Sequence, residues 1–435
     1  MKFTRVFACM ALAGLAGSAY ATNGMNVEGY GPIAAGMGGA SYAYDNGNAA
    51  MMNNPATLGL AANGNRVDVA LGFLGPDVAS SMSGASGGDA YFMPAAGWTR
   101  KTGNLSYGVG MFAQGGMGTE YVMGMDGLPE RSELGVGRLV APLAYNVNSN
   151  LTLGGSLDFV WAMLDMRMAM PLMSMAGLIT PTGMGNGTIM GALGNMAMGG
   201  YDVARIDFSD GSDFTGKAKG YGMAGKLGFT YKVNPMFTIG GTYHSKTDLG
   251  DMETSTSGAS MIVTDLQGNP TQTVPGKLTV RDFQWPETYG LGVSVQATPK
   301  LMVAADYKRI NWKDVMENFT MSYSAFGDTV TFALPQDWDD QDVFQIGLSF
   351  KASDAFTLRA GASFSDNPIP DATMHYLFPA IVEDHYSVGV GFAMSKTSEL
   401  NFSLQHAPEV TQTSPMGYTV SHEQTSWQLM YSKRF

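Results

Sequence analysis

From Arg66 to Phe435 the chain is written in short stretches whose apolar residues recur at every second position. In Val343–Phe350, Phe344, Ile346, Leu348 and Phe350 share one face, while Gln345, Gly347 and Ser349 share the other. Tyr386, Val388, Val390 and Phe392 alternate in the same way with Ser387, Gly389 and Gly391, as do Leu400, Phe402 and Leu404 with Asn401, Ser403 and Gln405. A period of two is the signature of a strand with a different environment on each side. Apolar side chains on one face and small or polar ones on the other suit a wall with lipid outside and a filled lumen inside.

The connections between these stretches alternate in length. Tight turns fall at Thr102-Gly103-Asn104, Asn148-Ser149-Asn150, Asn234-Pro235, Thr298-Pro299-Lys300, Ala352-Ser353-Asp354 and Lys396-Thr397-Ser398. Long excursions run over Gly75–Asp89, Gly115–Glu133, Asp165–Gly216, Thr247–Pro275, Asp314–Gln341, Asp366–Asp384 and Ala407–Gln424. Six short turns and seven long loops require fourteen strands with both ends on the short-turn side. The expected fold is therefore all-β, a transmembrane antiparallel β-barrel of about 14 strands occupying residues 64–435. Strands of about ten residues match a tilted crossing of the bilayer. Trp98, Tyr107, Trp161, Tyr231, Tyr243, Trp312 and Trp427 are expected at the membrane interfaces. The chain ends on an alternating strand with a terminal Phe435, which resembles the signal read by the outer-membrane barrel assembly machinery.

Residues 1–21 read as a secretory signal peptide: Lys2 and Arg5, an apolar run from Val6 to Ala16, and Ser18-Ala19-Tyr20-Ala21, a small-x-small exit. The only cysteine, Cys9, lies in this leader, so the remaining chain has no thiol and no disulfide. Without Lys2 and Arg5 the 25 basic residues fall to 23 against 37 acidic ones, a formal charge of −14. That balance excludes nucleic acid as a partner. No cofactor is expected, and a monomer is.

Ahead of the first strand, residues 22–63 are dense in glycine, with Gly24, Gly29, Gly31, Gly36, Gly38 and Gly39, and close on Asn54-Pro55-Ala56. Such a run holds one conformation only where something else confines it, and a barrel lumen would do so. The segment is expected to be a plug.

With these residues in view, the chain resembles the FadL/TodX family of outer-membrane transporters for long-chain fatty acids and aromatic hydrocarbons. The likeness rests on Gly36-Met37-Gly38-Gly39-Ala40, Asp45 and Asn54-Pro55-Ala56 in the plug. It extends to Trp285-Pro286-Glu287-Thr288-Tyr289, Tyr307 with Trp312, and Phe364-Ser365-Asp366-Asn367-Pro368-Ile369-Pro370. The resemblance implies a fourteen-stranded barrel with an N-terminal hatch, taking up hydrophobic molecules passively. It also implies a sideways exit into the membrane beside an inward kink in the third strand. Here that strand is Leu105–Gly115, and Gly108, Gly110 and Gly115 would supply the kink. The hatch residues that would gate the path are Asn54, Pro55, Ala56, Gly36, Gly38 and Gly39.

The third long loop carries Met166, Met168, Met170, Leu172, Met173, Met175 and Leu178, a surface on which a hydrophobic ligand would first land. Flexible thioethers adapt to ligands of varied shape, although a loop packed on itself would have the same composition. The Met-x-Met spacings would also suit Cu(I), but no His or Cys accompanies them, so no metal site is assigned. His244, His375, His385, His406 and His422 lack ligand spacing and are expected at the surface. The acidic run Asp337–Asp342 is read as solvated charge with lipopolysaccharide-bridging cations as its other reading. A lipid-acting outer-membrane enzyme and a water-filled porin are the alternatives, and no catalytic set stands out. A carboxylate ligand would need basic partners, for which Lys308, Arg309, Lys313, Arg138, Arg167 and Arg205 are the candidates.

Overall fold

The computed structural model describes residues 23–198, 201–212, 215–264 and 269–435, so the leader assigned to residues 1–21 lies outside the described residues. Fourteen strands form the wall. They are β1 (Gly64–Ser80), β2 (Tyr91–Thr102), β3 (Leu105–Tyr121), β4 (Glu130–Asn146), β5 (Leu151–Pro171), β6 (Ala218–Asn234) and β7 (Phe237–His244). The second half comprises β8 (Thr288–Thr298), β9 (Leu301–Ile310), β10 (Gln341–Lys351), β11 (Phe356–Phe364), β12 (His385–Ala393), β13 (Ser398–Thr413) and β14 (Thr419–Arg434). Each pairs antiparallel with the next, and β14 returns to β1 in the register Val69↔Tyr431. Closing the ring leaves no strand with a free edge along its whole length, as a sheet in lipid requires.

Alternation decides which way each strand faces. Phe344, Ile346 and Leu348 are exposed on the outside of β10, while Gln345 is buried on the inside. All six tight turns connect the wall strands where the sequence places them. The seventh long loop does not exist as such: β13 and β14 extend to Thr413 and from Thr419, leaving a short turn between them. Pro408, which has no N–H for a ladder, sits in a register shift between Ala407 and Val410. A bulge is where a strand tolerates a residue that cannot donate to the ladder.

The loops above the wall are themselves largely β. Val203–Asp207, Ala259–Thr264, Pro270–Arg281, Asn318–Ala325 and Asp328–Pro335 pair in that order into an upper sheet. Beneath and beside it lies the main apolar core, with Met166, Met168, Ile206, Met261, Val280 and Phe332 all buried. Two short helices, α1 (Leu172–Gly177) and α2 (Thr188–Met198), cover its flank. Trp312, expected at a membrane interface, is instead fully buried in this core and donates from Nε1 to Gln341 at 2.9 Å. It stacks edge-on between Trp285 and Trp338, at centroid distances of 5.8 and 5.2 Å.

Residues 23–63 lie inside the ring, nearly all of them buried. Their contacts fall on glycines of the inner wall. A methyl group at Gly361 of β11 would lie 2.1 Å from the amide nitrogen of Gly38, and one at Gly240 of β7 would lie 1.8 Å from the Tyr42 carbonyl. Only a residue without Cβ lets two backbones approach so closely. The inward glycines of the wall and the glycines of the plug are therefore two halves of one fit.

Candidate functional site: an apolar passage through the wall

The wall is not sealed along its whole height. β2 and β3 pair only from Ala96↔Met111 down to Thr102↔Leu105. Above that level Tyr91–Ala95 still pair with β1, and β3 continues upward on β4, meeting the β1–β2 connection again where Gly87 N–H donates to the Glu120 carbonyl at 2.7 Å. Pro94 lies in the stretch of β2 that has no partner on the β3 side, where its missing N–H costs no ladder bond.

β3 leaves β2 because it is held from within. Its register on β4 shifts between Ala113 and Gly115, so Gln114 is an extra residue at a bulge. Gly115 bridges to Asn26 of the plug, and Gly116 N–H donates to the Met25 carbonyl at 3.2 Å. The Tyr30 hydroxyl donates to the Gln114 carbonyl at 2.8 Å. A Cβ at Gly115 would lie 2.2 Å from the Met25 carbonyl oxygen, so this residue has to be glycine for β3 to reach the plug. Of the three glycines read as a kink, the structure places Gly115 at the bulge and Gly108 and Gly110 lower on β3, where Gly110 still pairs with Gly97 of β2 and a Cβ at Gly108 would lie 2.1 Å from the Trp98 carbonyl.

The separation leaves a cavity of about 280 Å³. Phe92 and Met111, which line it, are exposed on the lipid side of the wall, whereas Phe112, Leu134 and Val136 are buried on the lumen side. Gly24 of the plug and Ala380 of the loop after β11 close its inner end. Met93, Met117, Met163 and Trp161 add to an apolar lining; Tyr91, Glu133, Thr215, His422 and Gln424 carry its polar groups, and among the described residues no lysine or arginine lines it. Met117 and Leu134 also line a second small cavity above, with Met25, Phe283, Phe319 and Phe378. The passage thus continues toward the upper core. Of these lining side chains the sequence marks Trp161 only as an interface aromatic and His422 only as a surface group, and none as part of a ligand path. Pro94 within a strand and the Gly115-Gly116 pair were the available signals.

The buried cations below this cavity already have partners. Arg138 and Lys226 both reach Asp158, the former at 2.9 Å, and Arg138 also bonds Gln114. Lys308 donates to the Glu28 carbonyl at 3.1 Å, and Glu28 faces His385 at 3.0 Å. Asp306 accepts from the Ser41 and Tyr42 amides at 2.6 and 3.0 Å. Arg205 is clamped by Asp126, Arg309 by Asp340 and Asp342, Arg167 faces Asp207 at 3.6 Å, and Lys313 faces Asp339 at 3.8 Å. His385 and His422, expected at the surface, are buried; His422 is within 2.6 Å of the Pro379 carbonyl.

In the plug, Asn54 caps the turn Pro55–Leu60 by accepting from the Ala56 amide at 3.1 Å, and its amide donates to the carbonyls of Tyr42 and Phe229 at 2.8 and 3.1 Å. Gly36 lies against Gly389 of β12, and Gly39 against Gln345 of β10. In the third loop, Met166, Met168, Leu172 and Met175 are buried in the upper core. Met170 and Leu178 pack against it, and Met173 is exposed.

Comparison with known proteins agrees with this geometry. The family described as outer membrane protein transport protein (OMPP1/FadL/TodX) matches residues 7–424. The toluene transporter TodX of Pseudomonas putida is 29% identical, covering 94% of this chain and 99% of that one, at a TM-score of 0.81. The toluene transporter TbuX of Ralstonia pickettii is 28% identical over 94% and 99%, at 0.77. A FadL homologue of Pseudomonas aeruginosa shares the fold at a TM-score of 0.71 and 15% identity, covering 95% and 99%. An uncharacterized protein of Chlorobium limicola, in the 5′ region of a phosphoenolpyruvate carboxykinase gene, is 48% identical over 86 residues. That match spans 18% of this chain and 42% of its relative. This chain belongs to the OMPP1/FadL/TodX family of outer membrane transport proteins, non-enzymatic channels for hydrophobic compounds in the bacterial outer membrane.

Proposed function

We propose that the protein passes small neutral aromatic hydrocarbons across the outer membrane, releasing them sideways between β2 and β3. The observation that carries this reading is the apolar cavity that reaches both faces of the wall without a cation in its lining. A carboxylate brought there would be desolvated without a partner, which costs several kcal/mol; a hydrocarbon has no such cost. The size is adequate, since a dry apolar cavity of roughly 150 Å³ holds benzene. Similarity to two toluene transporters supports the same ligand class. Ligand would land on the exposed apolar surface around Met173 and pass the upper core. Residues 23–63 would act as the hatch, gated through Asn54-Pro55-Ala56 and the close contacts of Gly36, Gly38 and Gly39. The functional unit in this reading is a monomer.

The test is uptake of radiolabelled toluene and of radiolabelled oleate by Gram-negative cells lacking other family members, with and without this protein. Faster toluene uptake with unchanged oleate uptake is expected. Faster oleate uptake with unchanged toluene uptake would overturn the ligand class.

A further inference from the structure

The end of the barrel that bears the short turns is basic, although the chain as a whole is acidic at −12. Lys232, Lys300, Lys351 and Lys396 stand at four of these turns, and Arg100 and Lys433 close to them on β2 and β14. Lys351 is paired with Asp354 at 3.0 Å; among the described residues the other five take part in no ion pair.

Two of these cations face lipid rather than the barrel mouth. On β2, Thr99 donates to Asn48 and Gly97 accepts from it, so Trp98 and Arg100 project from the opposite face. On β14, Met430 packs among plug residues and Ser432 is buried, which turns Tyr431 and Lys433 outward. The register places Arg100 beside Asn65 and Lys433 beside Val67, so they flank β1 from either side. Two strand spacings across and two residues along β1 separate their Cα atoms by about 12 Å, a gap that the two long side chains can close on one headgroup.

Aromatic rings lie just above this pair: Trp98 meets Tyr107 edge-on at 5.9 Å, and Tyr431 is exposed. Such rings settle at headgroup level in a membrane. Among the described residues Arg100 donates from its Nε–H alone, toward Thr102 at 3.4 Å. Lys433 donates to the Thr397 and Ser398 hydroxyls at 2.9 and 3.1 Å, which leaves its third N–H. Guanidinium and ammonium donors without a carboxylate, set at headgroup depth, are suited to phosphate.

We propose that Arg100 and Lys433 hold the phosphate of an anionic glycerophospholipid of the periplasmic leaflet, with the other turn cations drawing such lipids to the rim. Its acyl chains lie along the outer face of β1 and β2, over Val69, Leu71 and Ala96. From Arg100 to Pro94 is six residues, about 20 Å along the strand, which at the tilt of about 35–45° of such strands is about 15 Å of depth, the same as the hydrocarbon half-thickness of about 15 Å. The chains of the bound lipid therefore end at the open part of the β2–β3 seam.

The experiment is native mass spectrometry of the detergent-purified protein equilibrated with phosphatidylglycerol or with phosphatidylcholine in mixed micelles. Wild type is expected to retain phosphatidylglycerol in preference to phosphatidylcholine. Arg100→Gln with Lys433→Gln should lower that retention by about thirtyfold, the size expected for removing two cations beside an anionic headgroup. Arg100→Lys with Lys433→Arg should restore it, and Lys300→Gln with Lys396→Gln should lower it less. Folding of each variant is checked by heat-modifiable gel migration. Equal retention of the two lipids by wild type would overturn the proposal. So would undiminished retention of phosphatidylglycerol by the folded Arg100/Lys433 variant, or a larger loss from the turn pair.

Discussion

Asn54→Ala is the change whose consequence the structure fixes most closely. The side chain is fully buried and makes three hydrogen bonds, to the Ala56 amide and to the Tyr42 and Phe229 carbonyls, at 2.8–3.1 Å. It thus ties the Pro55–Leu60 turn to another part of the plug and to β6 of the wall. The wall lies close here at Gly228, where a Cβ would be 2.1 Å from the Asn54 oxygen and which has no side chain of its own to replace the lost bonds. At about 1 kcal/mol net per bond, truncation weakens the docked plug by about 3 kcal/mol, more if the freed groups stay dry. That corresponds to roughly a hundredfold rise in the undocked population. The assay is hydrogen–deuterium exchange by mass spectrometry on the protein in detergent. Amides of residues 56–58 should exchange about a hundredfold faster while amides of β8–β11 keep wild-type rates. Adding Pro55→Gly should accelerate them further, since the freed backbone gains conformational entropy. Exchange within threefold of wild type in a normally assembled Asn54→Ala barrel would refute the reasoning, and with it any gating role for this residue.

Three further outcomes are expected. Gly135→Leu places a side chain in the passage where a Cβ meets nothing within 4 Å; toluene uptake should fall at least tenfold with thermal stability unchanged. Asp158→Asn leaves Arg138 and Lys226 buried together without their shared counter-charge, and should cost about 3–5 kcal/mol in urea unfolding from detergent. Asp328 receives backbone N–H bonds from Ile189 first, then Asn186, Thr329 and Thr188, which hold its carboxyl below the usual range and pin the start of α2. A depressed carboxyl contributes above its unfolded value of about 3.9 and loses that contribution as pH falls through its lower folded value. Exchange at residues 188–193 should therefore rise only in strong acid in wild type, but already at neutral pH in Asp328→Ala.

The wall was legible because each strand reports its own orientation. Phe344-Gln345-Ile346-Gly347 states which side is lipid without reference to any other strand, and turns such as Asn234-Pro235 are local chemistry. What the sequence hid is what depends on two distant segments at once. Trp312 looks like an interface aromatic from its neighbours on β9, and only the presence of Trp285 and Trp338 makes it core. The methionines of the third loop alternate on β5 before the helices, yet what they pack against is supplied by Ala259–Thr264 and Phe332. The opening in the wall is an absence of pairing, and an absence leaves no periodicity to read. Only Pro94, a residue that cannot donate to a ladder, and the adjacent glycines at 115 and 116 bore on it.

The same contacts make the plug and the opening one mechanical unit. β3 parts from β2 where Gly115, Gly116 and Gln114 are bonded to Asn26, Met25 and Tyr30, so the seam stands open because the plug holds β3 inward. Tyr30 is in turn held by Asn53, whose side chain accepts from its amide and donates to its carbonyl at 3.0 and 2.9 Å. Asn53 precedes the Asn54 cap, and its other bond is to Asn46 at 3.1 Å. A displacement of the Asn53–Asn54 corner is thus carried by Tyr30 to the Gln114 bulge. Loosening the corner should let β3 relax toward β2 and narrow the passage, the opposite of simply unblocking a pore. Asn53→Ala is the sharper probe of this coupling than any change at the cavity itself. In cells it should slow toluene uptake, while a polar dye should cross no faster than in wild type. If toluene uptake rose together with dye leak, the plug would be a stopper alone, and the bulge would owe its shape to β4.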